Sequence, residues 1–214
     1  MPVESVSLHI AGTRLAGDLA LPDDAAGLVL FAHGSGSSRH SPRNQAVAAQ
    51  LNDRGFGTLL LDLLTPAEDE TDAATREHRF DITLLSRRLS GAADWLAARA
   101  TDLPLGLFGA STGAAAALVT AAERPELVRA VVSRGGRPDL AGGALAGVRA
   151  PVLLLVGGRD DAVIKLNEEA AQQLTAPYEL RVIPGATHLF PEPGALEEVG
   201  AAAGDWFARM PTTV

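Results

Sequence analysis

From residue 28 onward, short continuous apolar runs alternate with longer stretches of helical spacing. The runs cover 28–32, 58–63, 105–108, 130–132, 152–156 and 178–183. Their apolarity is continuous rather than confined to every second residue, as strands buried on both faces of a parallel sheet require. Between them, 43–54, 80–99, 112–123, 163–174 and 194–208 carry apolar residues at helical spacing, several ending near Gly or Pro. Ahead of these, 3–10 and 13–21 alternate polar and apolar residues around Ala11-Gly12. That is the pattern of a hairpin, closed off by Pro22-Asp23-Asp24. The order predicts a three-layer α/β fold with a mostly parallel central sheet, an N-terminal antiparallel hairpin, and right-handed crossovers that put helices on both faces. The acidic stretch 65–77 shows neither pattern and is expected to be a solvated loop bordering a pocket. No repeat or linker interrupts the chain, so a single domain over 1–214 is expected.

Composition narrows the partners more than the fold. Acidic residues number 26 against 18 basic ones, a formal charge of -8, which repels nucleic-acid phosphates and anionic membrane surfaces. The N-terminus lacks a basic segment followed by an apolar one, and the longest apolar stretches, 27–32 and 151–156, are too short to span a bilayer. A soluble cytoplasmic protein with no nucleic-acid or membrane partner is expected. With no cysteine, disulfides, thiolate catalysis and cysteine-ligated metals are excluded. No histidine pair has zincin spacing, so no metal or cofactor is expected.

Four segments carry candidate chemistry, each just after an apolar run. Gly109-Ala110-Ser111-Thr112-Gly113 fits G-x-S-x-G, with run 105–108 leading in and an Ala-rich helical stretch leading out. This is the strand-turn-helix setting of a nucleophile elbow, whose glycines relieve crowding around a strained serine. The alternative is a glycine-rich turn whose serine caps the helix. His33-Gly34-Ser35-Gly36-Ser37-Ser38 has glycines that allow main-chain N–H groups to face a ligand oxygen, as an oxyanion hole needs. A dinucleotide loop is disfavoured because Arg39 stands where a third glycine would, and no Walker triplet occurs. His33 reads as a brace for this loop. Gly157-Gly158-Arg159-Asp160-Asp161 puts an acid pair at a strand's carboxyl end, where α/β folds bind ligands. Either aspartate also suits a cap on the helix expected near Val163; both roles fit if Asp160 orients a histidine while Asp161 caps. Of the five histidines, only His188, in Gly185-Ala186-Thr187-His188, follows both serine and acid. A loop there gives a general base access.

Ser111, Asp160 and His188 thus occur in the α/β-hydrolase order rather than in either serine-protease order. On those segments, together with Phe31-Ala32 and Leu107-Phe108, the chain resembles the α/β-hydrolase superfamily over nearly its whole length, and its dienelactone-hydrolase-like branch in particular. The resemblance implies Ser111 as nucleophile, His188 as general base, Asp160 as its orienting acid, and the amides of Ser35 and Thr112 as the oxyanion hole. Dienelactone hydrolases proper use a cysteine nucleophile, so the serine here argues against assuming dienelactone as substrate. The stretch Ser133-Arg134-Gly135-Gly136-Arg137-Pro138 also resembles small hydrolase-like members of the branch. Only 135–150 separate the sixth strand, hairpin included, from the next, too few for the helical cap of many superfamily members.

The implied activity is hydrolysis of a small carboxylic ester or lactone through an acyl-enzyme. Gly34 and Gly36 would line the substrate site. Arg39, His40, Arg134 and Arg137 follow the loop and the strand beyond the elbow, where they would hold a substrate carboxylate; the alternative is surface ion pairing. A serine at the elbow excludes haloalkane dehalogenation. Two rivals remain: thioester or amide hydrolysis or acyl transfer on the same residues, which a substrate panel separates, and a non-catalytic ligand-binding member of the fold, which would bind without covalent labelling.

Overall fold

The computed structural model describes residues 2–211. Strands β1 (Glu4–Ile10) and β2 (Thr13–Ala20) form the expected hairpin, with Leu8 opposite Leu15. The remaining strands are β3 (Gly27–Ala32), β4 (Phe56–Leu61), β5 (Leu105–Ala110), β6 (Val128–Arg134), β7 (Val152–Gly157) and β8 (Tyr178–Ile183). They make one eight-stranded sheet in the order β1-β2-β4-β3-β5-β6-β7-β8. Pairing is antiparallel for β1 with β2 and β2 with β4, and parallel from β4 to β8.

Continuous apolar runs have a direct counterpart in packing. On β7, Leu154 joins one apolar layer and Leu155 the other, and both are fully buried. Each such leucine contributes roughly 1.5–3 kcal/mol relative to leaving it in water. Helices α3 (Ile82–Arg99) and α4 (Thr112–Glu123) cover the first face, while α1 (Pro42–Asp53) and α6 (Ala195–Phe207) cover the second. Helix α5 (Asp161–Ala171) follows β7. Between β6 and β7, Pro138–Gly147 forms only 3-10 turns, so no cap domain rises there.

One sequence expectation is corrected. The stretch expected to be a loop contains a helix, α2 (Pro66–Thr75). Its start is a capping box: the Glu68 N–H donates to Thr65 Oγ1 while Glu68 Oε2 accepts from the Thr65 N–H. Helix α3 then clamps it, as Arg88 donates to both Glu68 carboxylate oxygens at 2.7 Å. The helix carries little apolar surface, so capping and this ion pair hold it where periodicity gave no signal.

Candidate active site

The segment after β5 turns sharply at Ser111, whose backbone sits at φ 51°, ψ −122°, strained for a residue with a side chain. Packing enforces the turn. A Cβ at Gly113 would run into the carbonyl oxygens of Ala32 and His33, and one at Gly109 would strike the Ala114 backbone. The Ser111 N–H donates to Arg134 O at 3.3 Å, and its carbonyl accepts from the Arg137 N–H at 3.0 Å, tying the turn to β6 and the segment beyond. Its hydroxyl makes no cap bond to α4, so the capping alternative does not hold.

Asp160 stands at the N-terminus of α5 without a side-chain cap bond; its carboxylate is directed instead to His188, with Oδ2 2.6 Å from Nδ1. The helix opens at Asp161, two residues before the expected start, so Asp161 adds first-turn charge rather than a cap. The two loops are laced together: the Arg159 N–H donates to Ala186 O at 2.9 Å and the Gly158 N–H to Ile183 O at 2.8 Å. Beyond the histidine, Glu192 accepts from the Thr187 N–H at 3.1 Å and from Thr187 Oγ1 at 2.7 Å. Asp160 is 16% exposed and His188 40%, so the acid is shielded while the imidazole reaches solvent. No hydrogen bond joins the Ser111 hydroxyl to His188 among the described residues; both line one cleft, and the Asp160 contact engages Nδ1 and leaves Nε2 unbonded.

The loop after β3 lies against the elbow, for a Cβ at Gly34 would stand 2.9 Å from the Ser111 Cβ. Gly36 takes φ 62°, in the left-handed region. Ser35 Oγ and Thr112 Oγ1 are 3.1 Å apart, joining this loop to the first turn of α4. The main-chain N–H groups of Ser35 and Thr112 have no hydrogen-bond acceptor among the described residues. His33 braces the loop: its Nε2 accepts the Leu63 N–H at 2.9 Å, which leaves Nδ1 to donate to Gly34 O at 2.9 Å. Burial holds this imidazole below its ordinary value, keeping it neutral.

A cleft of about 420 Å³ collects Ser35, Ser111, Thr112, Arg137, Asp160 and His188. It leaves Arg39, His40 and Arg134 off its wall. Arg39 is ion-paired to Asp62 and Asp18, which accounts for its charge, and the exposed His40 donates its N–H to Ser38 Oγ. Arg134 is buried. Arg137 faces the cleft but is held by Asp139 through two bonds of 2.9 and 2.7 Å, so its charge is already answered.

The cleft wall also includes Arg76, Arg79 and Phe80, which the sequence reading missed. They follow α2 and are held by Asp72, which accepts from the N–H groups of His78 and Arg79 and from Arg79 Nε, each at 2.8 Å. Burial alone would raise the Asp72 carboxyl, but these donors and the Arg79 charge bring it below its ordinary value. The signal for this segment was the capping-box spacing Thr65-Pro66-Ala67-Glu68.

A strained serine between a parallel strand and a helix, on an eight-stranded sheet with an antiparallel edge, defines the α/β-hydrolase class. Residues 15–213 match the dienelactone hydrolase family, and the chain belongs to it. It is 55% identical to a dienelactone hydrolase of Anabaena variabilis ATCC 29413, covering 98% of both chains with a TM-score of 0.95. Est1E of Butyrivibrio proteoclasticus, at 17% identity, shares the fold over 95% of this chain and 97% of its own, with a TM-score of 0.76. Two Mycobacterium tuberculosis proteins provisionally named phosphoribosyl transferases are 54% identical over 206 residues. That match takes 95% of this chain and 46% of theirs, so the chain spans about half the length of these curated relatives. The family match and the Anabaena variabilis structure both point to hydrolase chemistry.

Proposed function

We propose that the protein hydrolyses small carboxylic esters or lactones through an acyl-enzyme on Ser111. The hydroxyl oxygen attacks the carbonyl carbon as His188 Nε2 takes its proton, and the Ser35 and Thr112 amides receive the developing oxyanion. His188 then returns the proton to the leaving alcohol, and water repeats the sequence on the acyl group. Asp160 orients the imidazole and stabilises its charged form. The observation that carries the reading is the 2.6 Å Asp160–His188 contact in the same cleft as a serine held at positive φ. With no cap above it, the cleft suits small or protruding acyl groups.

A panel of short-chain esters, thioesters and amides tests the proposal. Esters should turn over fastest, and Ser111→Ala and His188→Ala should each lose several orders of magnitude in kcat, because such groups act as a unit. Ester turnover unchanged in Ser111→Ala overturns it.

A further inference from the structure

The stretch Ser133-Arg134-Gly135-Gly136-Arg137-Pro138 has no part in the proposed chemistry beyond the place of Arg137 on the cleft wall. Its backbone nevertheless touches the elements that carry Ser111, Asp160 and His188. Arg134 O accepts the Ser111 N–H at 3.3 Å and the Arg137 N–H donates to Ser111 O at 3.0 Å, so the segment begins and ends on the serine's own peptide groups. Between these two bonds, the Gly135 N–H donates to Leu155 O on β7 at 2.7 Å, and Gly136 O accepts from Asn167 Nδ2 at 3.0 Å. Asn167 is fully buried on α5, the helix that opens directly after Asp160, and the same Nδ2 donates to Val163 O at 2.8 Å.

The histidine loop rests on the middle of this segment. Gly135 is buried with φ 51°, and a Cβ built on it would stand 2.9 Å from His188 O, 3.3 Å from Phe190 Cε2 and 3.6 Å from His188 Cε1, the ring carbon bonded to Nε2. The nearest of these atoms belongs to the backbone, so relief would come from moving the loop rather than from turning a side chain. With no hydrogen bond between the Ser111 hydroxyl and His188 among the described residues, contacts across this segment set how far apart the two stand. Gly135, Gly136 and Asn167 themselves lie off the cleft wall.

We propose that Gly135 is a positioning residue: its missing side chain lets the His188 loop close onto the turn that carries Ser111, and Asn167 keeps the segment in place by holding Gly136 O. The inference rests on Ser111 and His188 acting as nucleophile and general base. A misplacement of about 1 Å between reacting groups can cost about 10²-fold in rate, so a small displacement of the loop is felt in the chemical step. Substrate binding is not affected, because the cleft wall is left as it was.

The test compares Gly135→Ala with Gly142→Ala. Gly142 shares the φ of 51° in the exposed 3-10 segment but has nothing within 4 Å of a built Cβ, so its substitution brings positive-φ strain without the histidine contact. Turnover of a short-chain ester is measured per site titrated with a serine-directed phosphonate, which removes any unfolded fraction from the rate. Gly135→Ala should lower kcat about 10- to 100-fold with KM unchanged, whereas Gly142→Ala should keep both. Asn167→Leu, similar in size but without the amide, should lower kcat by up to about tenfold, again with KM unchanged. The proposal is overturned if Gly135→Ala matches Gly142→Ala in kcat per site, or if its loss is confined to Tm or to KM; the ester reading then stands. A wild type that neither turns over esters nor takes the label at Ser111 overturns both. Should Gly135→Ala fail to fold, an unchanged kcat in Asn167→Leu overturns the proposal instead.

Discussion

The Ser35 and Thr112 hydroxyls stand 3.1 Å apart, so the two residues assigned to receive the oxyanion are tied to each other before any substrate arrives. Loop and helix then present their amides as one unit. Losing a neutral hydrogen bond of this kind costs roughly 0.5–1.5 kcal/mol. Thr112→Val should therefore lower kcat by up to about tenfold, with little change in KM, as steady-state kinetics on a short-chain ester would show.

Asp160 and His188 depend on each other more strongly. Asp160→Asn keeps the shape but leaves Nδ1 facing an amide in place of a carboxylate, destabilising the imidazolium formed as Ser111 reacts. A fall in kcat of about 10³–10⁴ is expected, by analogy with the serine-protease triad. A loss under tenfold would show that the 2.6 Å contact is structural only.

Arg137 faces the cleft while bound bidentately to Asp139. A carboxylate substrate would have to compete with a partner already in place. Arg137→Ala should change the kcat/KM ratio between acidic and neutral esters by less than about threefold, within the range of an exposed ion pair.

Glu68 sets an acid-side dependence of stability. Its hydrogen bond with Arg88, helped by the Thr65 N–H and hydroxyl, outweighs burial and lowers its carboxyl from 4.5 to about 2. The unfolded chain therefore binds a proton before the folded one does, and folding loses this contribution as pH falls from about 4.5 through about 2. The Tm difference between wild type and Glu68→Gln should be constant above pH 5 and should shrink over that window. A difference independent of pH down to 2 would contradict the Arg88 clamp.

The succession of strands along the chain and the serine–acid–histidine order at their ends could be read from the sequence because burial on both faces imposes continuous apolar runs, whereas the order of strands within the sheet could not. Helix α2 was not legible, since Ala67, Ala73 and Ala74 are its only apolar side chains besides the ring of Pro66, and its hold comes from Arg88 on another element. The cleft residues Arg76, Arg79 and Phe80 were missed with it. Arg134 read as a cleft-side cation by residue type; the strand's alternation turns it into the α1–α6 layer, which only the three-dimensional pairing of β6 makes evident.

Covalent labelling with a serine-directed phosphonate, followed by peptide mapping, bears most directly on the assignment of Ser111. One adduct should form, on the peptide carrying Ser111, with labelling abolished in Ser111→Ala and slowed by orders of magnitude in His188→Ala. An adduct on another residue, or undiminished labelling of the Ser111→Ala protein, would contradict the account.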